Sequence, residues 1–347
     1  MKSIILAGGG TAGHIVPHLA ILPHIKPYFD TIYYIGSGKE IERTLMKNAG
    51  VKIFEINPPA FIRSFSLQNA LIPSKLIKAI KECNQFIDKV KPSVVFSKGG
   101  YCALPVCFSA FNRDIPVICH ESDLSLGLAN KLTAGRAKAL LTTFEETTKG
   151  HKNGVFVGPP IREEFFNQNK LASKKAFGIT NDKPVLLITG GSQGSKTINH
   201  AVEKNIERLI KDFTVLHLYG KNNKPAYKAI NGYFAFDFAD MPKAISACDI
   251  CISRGGSNTL FELLSTNTPT LIVPLKKGSR GDQIKNADYF KKKGALMTID
   301  EDLLESRIYE ISKDLYKNRF NLQEKTKSLN LNSGAKKIAQ FINLYSK

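Results

Sequence analysis

Residues 8 to 14 read Gly-Gly-Gly-Thr-Ala-Gly-His and follow a short apolar run, Ser3 to Ala7. A run of β-formers, a glycine-rich turn and a helical pattern from His14 aim backbone N–H groups and a helix N-terminus at an anion, so the loop predicts a phosphate nearby. Gly8, Gly10 and Gly13 also satisfy GxGxxG, but a dinucleotide would need an acidic residue at the end of the next strand to hold a ribose. That strand, Thr31 to Ile35, ends in Gly36-Ser37-Gly38, and Asp30 stands at its other end. The dinucleotide reading is therefore the weaker one. Three more glycine loops recur: Lys98-Gly99-Gly100-Tyr101, Gly190-Gly191-Ser192-Gln193-Gly194 and Arg254-Gly255-Gly256-Ser257. One such loop is usually a tight packing turn; four in two related halves predict phosphate binding. His14, directly after the first loop, is placed to take a proton or to hydrogen-bond a diphosphate oxygen, unless it is only a helix-start histidine satisfied by a carbonyl.

Two other motifs imitate metal sites. Cys248-Asp-Ile-Cys251 has the CxxC spacing but no second pair and no nearby histidine. Its flanks read as a strand, where positions three apart point to opposite faces, so buried thiols are the better reading of these cysteines. Asp300-Glu301-Asp302 resembles a DxD motif yet precedes Leu303-Leu304, where acids are expected at the start of a helix. No metal or cofactor is expected.

The elements that position these loops follow from the apolar runs. Ile4 to Ala7, Ile32 to Ile35, Val94 to Ser97, Val117 to Cys119 and Leu140 to Thr142 read as strands alternating with helical patterns, which is a parallel α/β sheet. A second cycle opens at Val185 to Thr189, runs into a helix from about Ser195 to Lys211, and continues through Val215 to Leu218, Ile250 to Ser253 and Leu271 to Val273. Between the halves, Val157-Gly158-Pro159-Pro160-Ile161-Arg162 breaks regular structure. The expected organisation is an α/β domain over 1–160, a second over 161–330, and an amphipathic C-terminal helix within 331–347 that can pack on either. Ligands in such sheets bind beyond the carboxyl ends of the strands.

At 347 residues and 43% hydrophobic, the chain can furnish two cores. Forty-nine Lys and Arg against 30 Asp and Glu give +19, which favours an anionic partner: a phosphorylated substrate, an acidic membrane surface or nucleic acid. Much of that charge reads as solvated helix faces. Nucleic acid is disfavoured, because no aromatic platforms interleave with the basic residues. No apolar stretch reaches the roughly 20 residues that span a bilayer, so a cytoplasmic protein is expected.

The segments GGGTAGH, SKGGYCALP, HESD at His120 to Asp123, TGGSQGS and SRGGSNTLFELLSTNTPTLIVP, in that order, resemble the MurG family of bacterial glycosyltransferases. The resemblance implies two Rossmann-like domains facing across a cleft, the GT-B architecture. It implies inverting, metal-independent transfer of N-acetylglucosamine from UDP-N-acetylglucosamine to the 4-hydroxyl of the muramyl sugar of lipid I, making lipid II for peptidoglycan. For the donor it implies Thr11, Ala12 and Gly13, the diphosphate cradle Gly191, Ser192, Gln193 and Gly194, and Arg162. It further implies the backbone of Phe238 on the uracil edge, Gly256, Ser257, Asn258 and Thr259 at a helix start, Glu262 on the ribose hydroxyls, and Asp282 and Gln283 on the sugar. A carboxylate suits the ribose because it accepts two hydroxyl protons at once. For the acceptor the resemblance implies Gly10, Gly13, Gly99, Gly100 and Tyr101.

The chain departs from the family pattern in two places: Ser122-Asp123 stands where Gln-Asn is common, and Asp282 where a second glutamine is frequent. An Asn-to-Asp change supplies an anion, so the base is open among His14, Glu121 and Asp123. A lipid-linked acceptor also requires docking on the anionic cytoplasmic face of the inner membrane. Phe61, Phe65, Lys75, Leu76, Ile77 and Lys78 mix apolar and basic character and suit that surface, the alternative being an amphipathic core helix. A related transferase acting on diacylglycerol is the nearest rival, and a basic nucleotide- or nucleic-acid-binding protein a more distant one.

Overall fold

The structure, a computed structural model, describes the chain except residues 11, 60–71, 192, 222, 224–229, 277–279 and 347 and the side chain of Ala12. It divides into two compact units, Met1–Arg162 with Ser333–Lys347, and Glu163–Asn332.

The first unit holds strands β1 (Ser3–Ala7), β2 (Thr31–Gly36), β3 (Lys52–Glu55), β4 (Val94–Ser97), β5 (Val117–Glu121), β6 (Ala139–Thr142) and β7 (Gly154–Phe156). They form one sheet in the order β3-β2-β1-β4-β5-β6-β7, every pairing parallel. The crossovers carry α1 (Ala12–Ile25), α2 (Glu40–Asn48), α3 (Ile72–Val90), α4 (Ala103–Phe111) and α5 (Leu128–Thr133). Side chains alternate across a strand, so β1 sends Ile4 and Leu6 into one core and Ile5 and Ala7 into another. Such two-sided burial is why the central strands read as continuous apolar runs.

In the second unit lie α6 (Lys170–Ala176), β8 (Val185–Thr189), α7 (Lys196–Asp212), β9 (Thr214–Leu218), β10 (Tyr233–Phe236), α8 (Met241–Ala247), β11 (Ile250–Ser253), α9 (Ser257–Ser265), β12 (Thr270–Ile272), α10 (Asp282–Lys292), β13 (Met297–Thr298), α11 (Leu304–Lys317) and α12 (Arg319–Ser328). Its sheet runs β10-β9-β8-β11-β12-β13, again all parallel. The chain then returns to the first unit. Ser333 Oγ donates to the Ile161 carbonyl at 2.7 Å and accepts from the Ile161 N–H at 3.1 Å. The last helix, α13 (Ala335–Tyr345), packs Ala335, Ile338, Ala339 and Ile342 into the core that holds Ile4, Leu6 and Ile15. Gly334 permits this docking: a Cβ there would lie 2.3 Å from the Val157 carbonyl oxygen.

In each sheet the strand order reverses direction at one place, between β1 and β4 and between β8 and β11. The four glycine loops leave the carboxyl ends of these four strands. Each unit therefore brings two loops side by side at its switch point, where a crevice opens in this kind of sheet.

Candidate active site

At the first switch point, His14 sits in the opening turn of α1, half-buried, with Nδ1 3.2 Å from the Lys98 carbonyl oxygen. A carbonyl only accepts, so Nδ1 carries the hydrogen and Nε2 is the acceptor nitrogen of the neutral ring. The Nε2 edge lies against Gly100, where a Cβ would come within 3.2 Å of it. Gly99 and Gly100 have φ of +73° and +80°, a region glycine adopts at little cost. Tyr101 lays its ring against Gly10, whose own Cβ would fall 2.4 Å from a ring carbon. Gly13 is exposed at the start of α1. Thr11 and the side chain of Ala12 lie outside the described residues.

The HESD segment closes this site from β5. Glu121 is 7% exposed, and its two oxygens accept from the N–H groups of Ser122, Asp123 and Gly127 and from Asn130 Nδ2, at 2.8 to 3.2 Å. Those four donors commit the carboxylate to holding the turn. Asp123 is half-buried beside it. Sequence reasoning missed the group that links these elements. Lys98, 4% exposed, donates from Nζ to His120 Nδ1 and to Ser122 Oγ, each at 2.6 Å. Burial lowers its pKa to about 8, against the pull of the Glu121 and Asp123 charges. Burial and the Lys98 charge likewise hold His120 well below the ordinary histidine range, which suits a neutral ring accepting at Nδ1. The signal was present as a lysine directly before Gly99-Gly100.

At the second switch point, Gly191 and Gly194 have φ of +79° and +71°. The Gly191 N–H donates to Thr189 Oγ1 and the Gly194 N–H to the Gly191 carbonyl. A Cβ at Gly194 would lie 2.2 Å from the Tyr219 carbonyl oxygen, so this loop is closed against the end of β9. Gln193 is exposed and its carbonyl accepts from Asn223 Nδ2. Ser192 lies outside the described residues. Ser195 caps α7 by accepting from the Ile198 N–H, and Arg254 Nη2 donates to the same hydroxyl at 2.6 Å. Arg254 also pairs with Glu301 and donates to the Val273 carbonyl. A buried guanidinium therefore stands directly behind the glycine loop that follows β8, another feature that only the fold displays.

Gly256 precedes α9, whose first turn carries buried Ser257 and half-buried Asn258 and Thr259; Glu262 follows one turn on at 8% exposure. Asp282 opens α10 and pairs with Arg280 at 2.7 Å. Gln283 Oε1 accepts from the Leu275 N–H at 3.0 Å. Phe238 is 62% exposed, and its N–H donates to Asp237 Oδ1. Arg162 ends the first unit, half-buried.

The two metal look-alikes are accounted for locally. Asp300 and Asp302 both pair with Lys276, and Glu301 with Arg254. Cys248 donates its thiol to the Ile245 carbonyl and Cys251 lies inside β11, both buried, with burial pushing Cys248 up to about 12 and Cys251 well above its usual value.

Of the membrane candidates, Lys75, Ile77 and Lys78 are exposed on α3 and Leu76 is half-buried, while Phe61 and Phe65 lie outside the described residues. Leu128 and Leu132, 53% and 51% exposed on α5 beside exposed Lys131 and Arg136, form a second mixed apolar and basic face. No helix among the described residues is long and apolar enough to cross a membrane.

Two parallel α/β units, each with paired glycine loops at its switch point, define a sugar-nucleotide-type glycosyltransferase fold. Residues 4–142 match the Glycosyltransferase family 28 N-terminal domain, and residues 185–342 its C-terminal domain. The chain is 41% identical over 99% of its length, and 98% of the relative's, to the UDP-N-acetylglucosamine--N-acetylmuramyl-(pentapeptide) pyrophosphoryl-undecaprenol N-acetylglucosamine transferase of Clostridium tetani. It is also 41% identical to its namesake in Clostridium botulinum, with both chains fully covered. The crystal structure of Acinetobacter baumannii MurG superposes with a TM-score of 0.74 at 22% identity, covering 99% of this chain and all of that one. A kitacinnamycin glycotransferase gives 0.75 at 13%, covering 100% and 99%; these two likenesses speak to the fold alone. The chain belongs to the MurG family of glycosyltransferases.

Proposed function

We infer that the protein transfers N-acetylglucosamine from UDP-N-acetylglucosamine to the 4-hydroxyl of the muramyl sugar of lipid I, with inversion, making lipid II. The observation that carries this reading is the pair of glycine loops at each switch point, in a chain 41% identical over its whole length to transferases named for that reaction. In the transfer the C1–O bond to the diphosphate breaks, the C1–O4 bond forms, the O4 proton passes to a base, and UDP leaves with the electron pair.

The chain's own groups have assignable parts in this scheme. His14 is the base: its Nδ1–H is held by the Lys98 carbonyl, which orients Nε2 as the proton acceptor. Asp123 hydrogen-bonds the acceptor sugar, and Glu121 holds the turn that carries it. In the second unit, the positive end of α7 beside the Gly191 to Gly194 loop stabilises the departing diphosphate, with Arg254 adding positive charge behind the loop. Glu262 takes the ribose hydroxyls, and Asp282 and Gln283 the sugar. Both of the latter are engaged with the protein here, so donor binding exchanges those partners.

The lipid-linked acceptor places the protein peripherally on the cytoplasmic face of the membrane. The exposed faces of α3 and α5, apolar residues set among lysines and an arginine, support that docking on an anionic surface. UDP release from UDP-N-acetylglucosamine, measured with a lipid I analogue, with diacylglycerol and with RNA, tests the whole reading. Release with the lipid I analogue alone, undiminished by EDTA, is expected. Release with diacylglycerol alone, or a collapse restored only by a divalent ion, refutes it.

A further inference from the structure

The first glycine loop already contains an anion. Glu42, on α2, is fully buried, and its carboxylate accepts from the Gly10 N–H at 2.7 Å. The same carboxylate accepts from the Ser37 N–H and Ser37 Oγ, both at 2.7 Å, and from the Gly38 N–H at 3.2 Å. One side chain thus bridges the loops after β1 and β2, which are neighbouring strands. Lys39 completes the grip by donating from Nζ to the Gly10 carbonyl at 2.8 Å. Both polar groups of Gly10 are thereby held by charged side chains from one short segment.

The slot that receives the carboxylate exists because glycine lines it. A Cβ at Gly36 would lie 2.3 Å from one Glu42 oxygen, and a Cβ at Gly9 would lie 3.2 Å from the other. Burial and then the Glu42 charge push the neighbouring Cys102 thiol up to about 12, after which Tyr101 and Lys39 oppose. A buried carboxylate is costly unless donors surround it, and four charge-assisted bonds offset that cost. An N–H held by an internal anion is closed to a second anion, because like charges at such range repel strongly in a dry site.

We propose that Glu42 is the fixed anion of this loop and a positioning residue for transfer: it takes the Gly10 N–H that a substrate phosphate would otherwise bind, and sets the turn from which Gly13 and His14 meet the acceptor. The second half of this statement rests on the acceptor assignment made above; the first half does not. The acceptor's phosphate is then received at the first turn of α1 and not at Gly10.

The test uses the full-length protein and two variants. Glu42→Gln keeps the shape, removes the charge and turns a donor toward the backbone N–H groups. It should lower kcat by about tenfold or more with the KM for UDP-N-acetylglucosamine within about twofold of the parent, and speed amide exchange at Gly10 by about tenfold. Glu42→Ala leaves a carboxylate-sized hole, and added formate should restore both turnover and Gly10 protection where equimolar chloride does not. Parental kcat and parental Gly10 exchange in Glu42→Gln overturn the proposal, as does Gly10 protection that formate leaves unchanged in a folded Glu42→Ala. If Glu42→Ala does not fold, Glu42→Gln decides the matter. Should the parent show no transfer while Gly10 exchange responds as stated, the functional reading fails and the internal anion stands.

Discussion

His18 offers a direct measure of how dry the floor of the first site is. It lies one turn beyond His14 on α1, fully buried, between the rings of Tyr34 and Phe96 at centroid distances of 5.7 and 5.6 Å. Neither ring nitrogen makes a hydrogen bond of good geometry. Burial, then the charges of Lys98 and His14, lower its pKa from 6.5 to about 3, with the Ala7 backbone offsetting a small part. The folded pKa is depressed, so the unfolded chain takes up the proton first as pH falls, and stability is lost from about pH 6.5 downward toward pH 3. At roughly 1.4 kcal/mol per unit, the two units between 6.5 and about pH 4.5 remove about 3 kcal/mol, and the full shift to about 3 removes about 5. His120 and His217, also buried and lowered, steepen the same acid slope, so the comparison must be with a variant lacking only His18. His18→Leu retains apolar volume between the two rings. Urea unfolding from about pH 7 to pH 4.5, read by hydrogen exchange in peptides from β1 and α1, should show the variant losing about 3 kcal/mol less than the parent over that range. Parallel curves for the two proteins would mean that His18 is solvated or charged in the folded state, and would refute the dry-floor reasoning.

Three further outcomes test the site. His14→Ala should lower turnover by at least about tenfold, roughly 1.4 kcal/mol of transition-state stabilisation, without comparable loss of UDP affinity; turnover within about twofold of the parent would shift the base to Asp123. Glu262→Ala should weaken UDP-sugar binding by about 1 to 3 kcal/mol in calorimetric titration, and unchanged affinity for every tested donor would remove Glu262 from the ribose. Joint replacement of Leu76, Ile77, Leu128 and Leu132 by Ser should reduce sedimentation with anionic vesicles while sparing turnover of a soluble short-chain acceptor. Equal loss on both acceptors would mark these residues as parts of the core.

The sequence by itself determined the class of fold, because fully buried parallel strands must be apolar on both faces and announce themselves as short continuous runs. The strands expected at Ile4, Ile32, Val94, Val117, Leu140, Val185, Val215, Ile250 and Leu271 all form. The four that escaped notice, β3, β7, β10 and β13, are the outermost strands of their sheets, two to four residues long and without the fully buried run that marks the central strands. The glycine loops were equally legible, since tight turns at strand ends leave a local mark. Which loops stand side by side was not, because pairing β1 with β4 and β8 with β11 depends on crossovers that no local pattern encodes. The same limit hid Glu42, Lys98 and Arg254. Each looks in sequence like an ordinary charged residue, and each is buried by contacts 22 to 59 positions away that hold a glycine loop, the HESD turn or a helix cap. Docking of α13 on the first unit also belongs to the tertiary structure, because an amphipathic helix specifies an apolar face but not the surface that covers it.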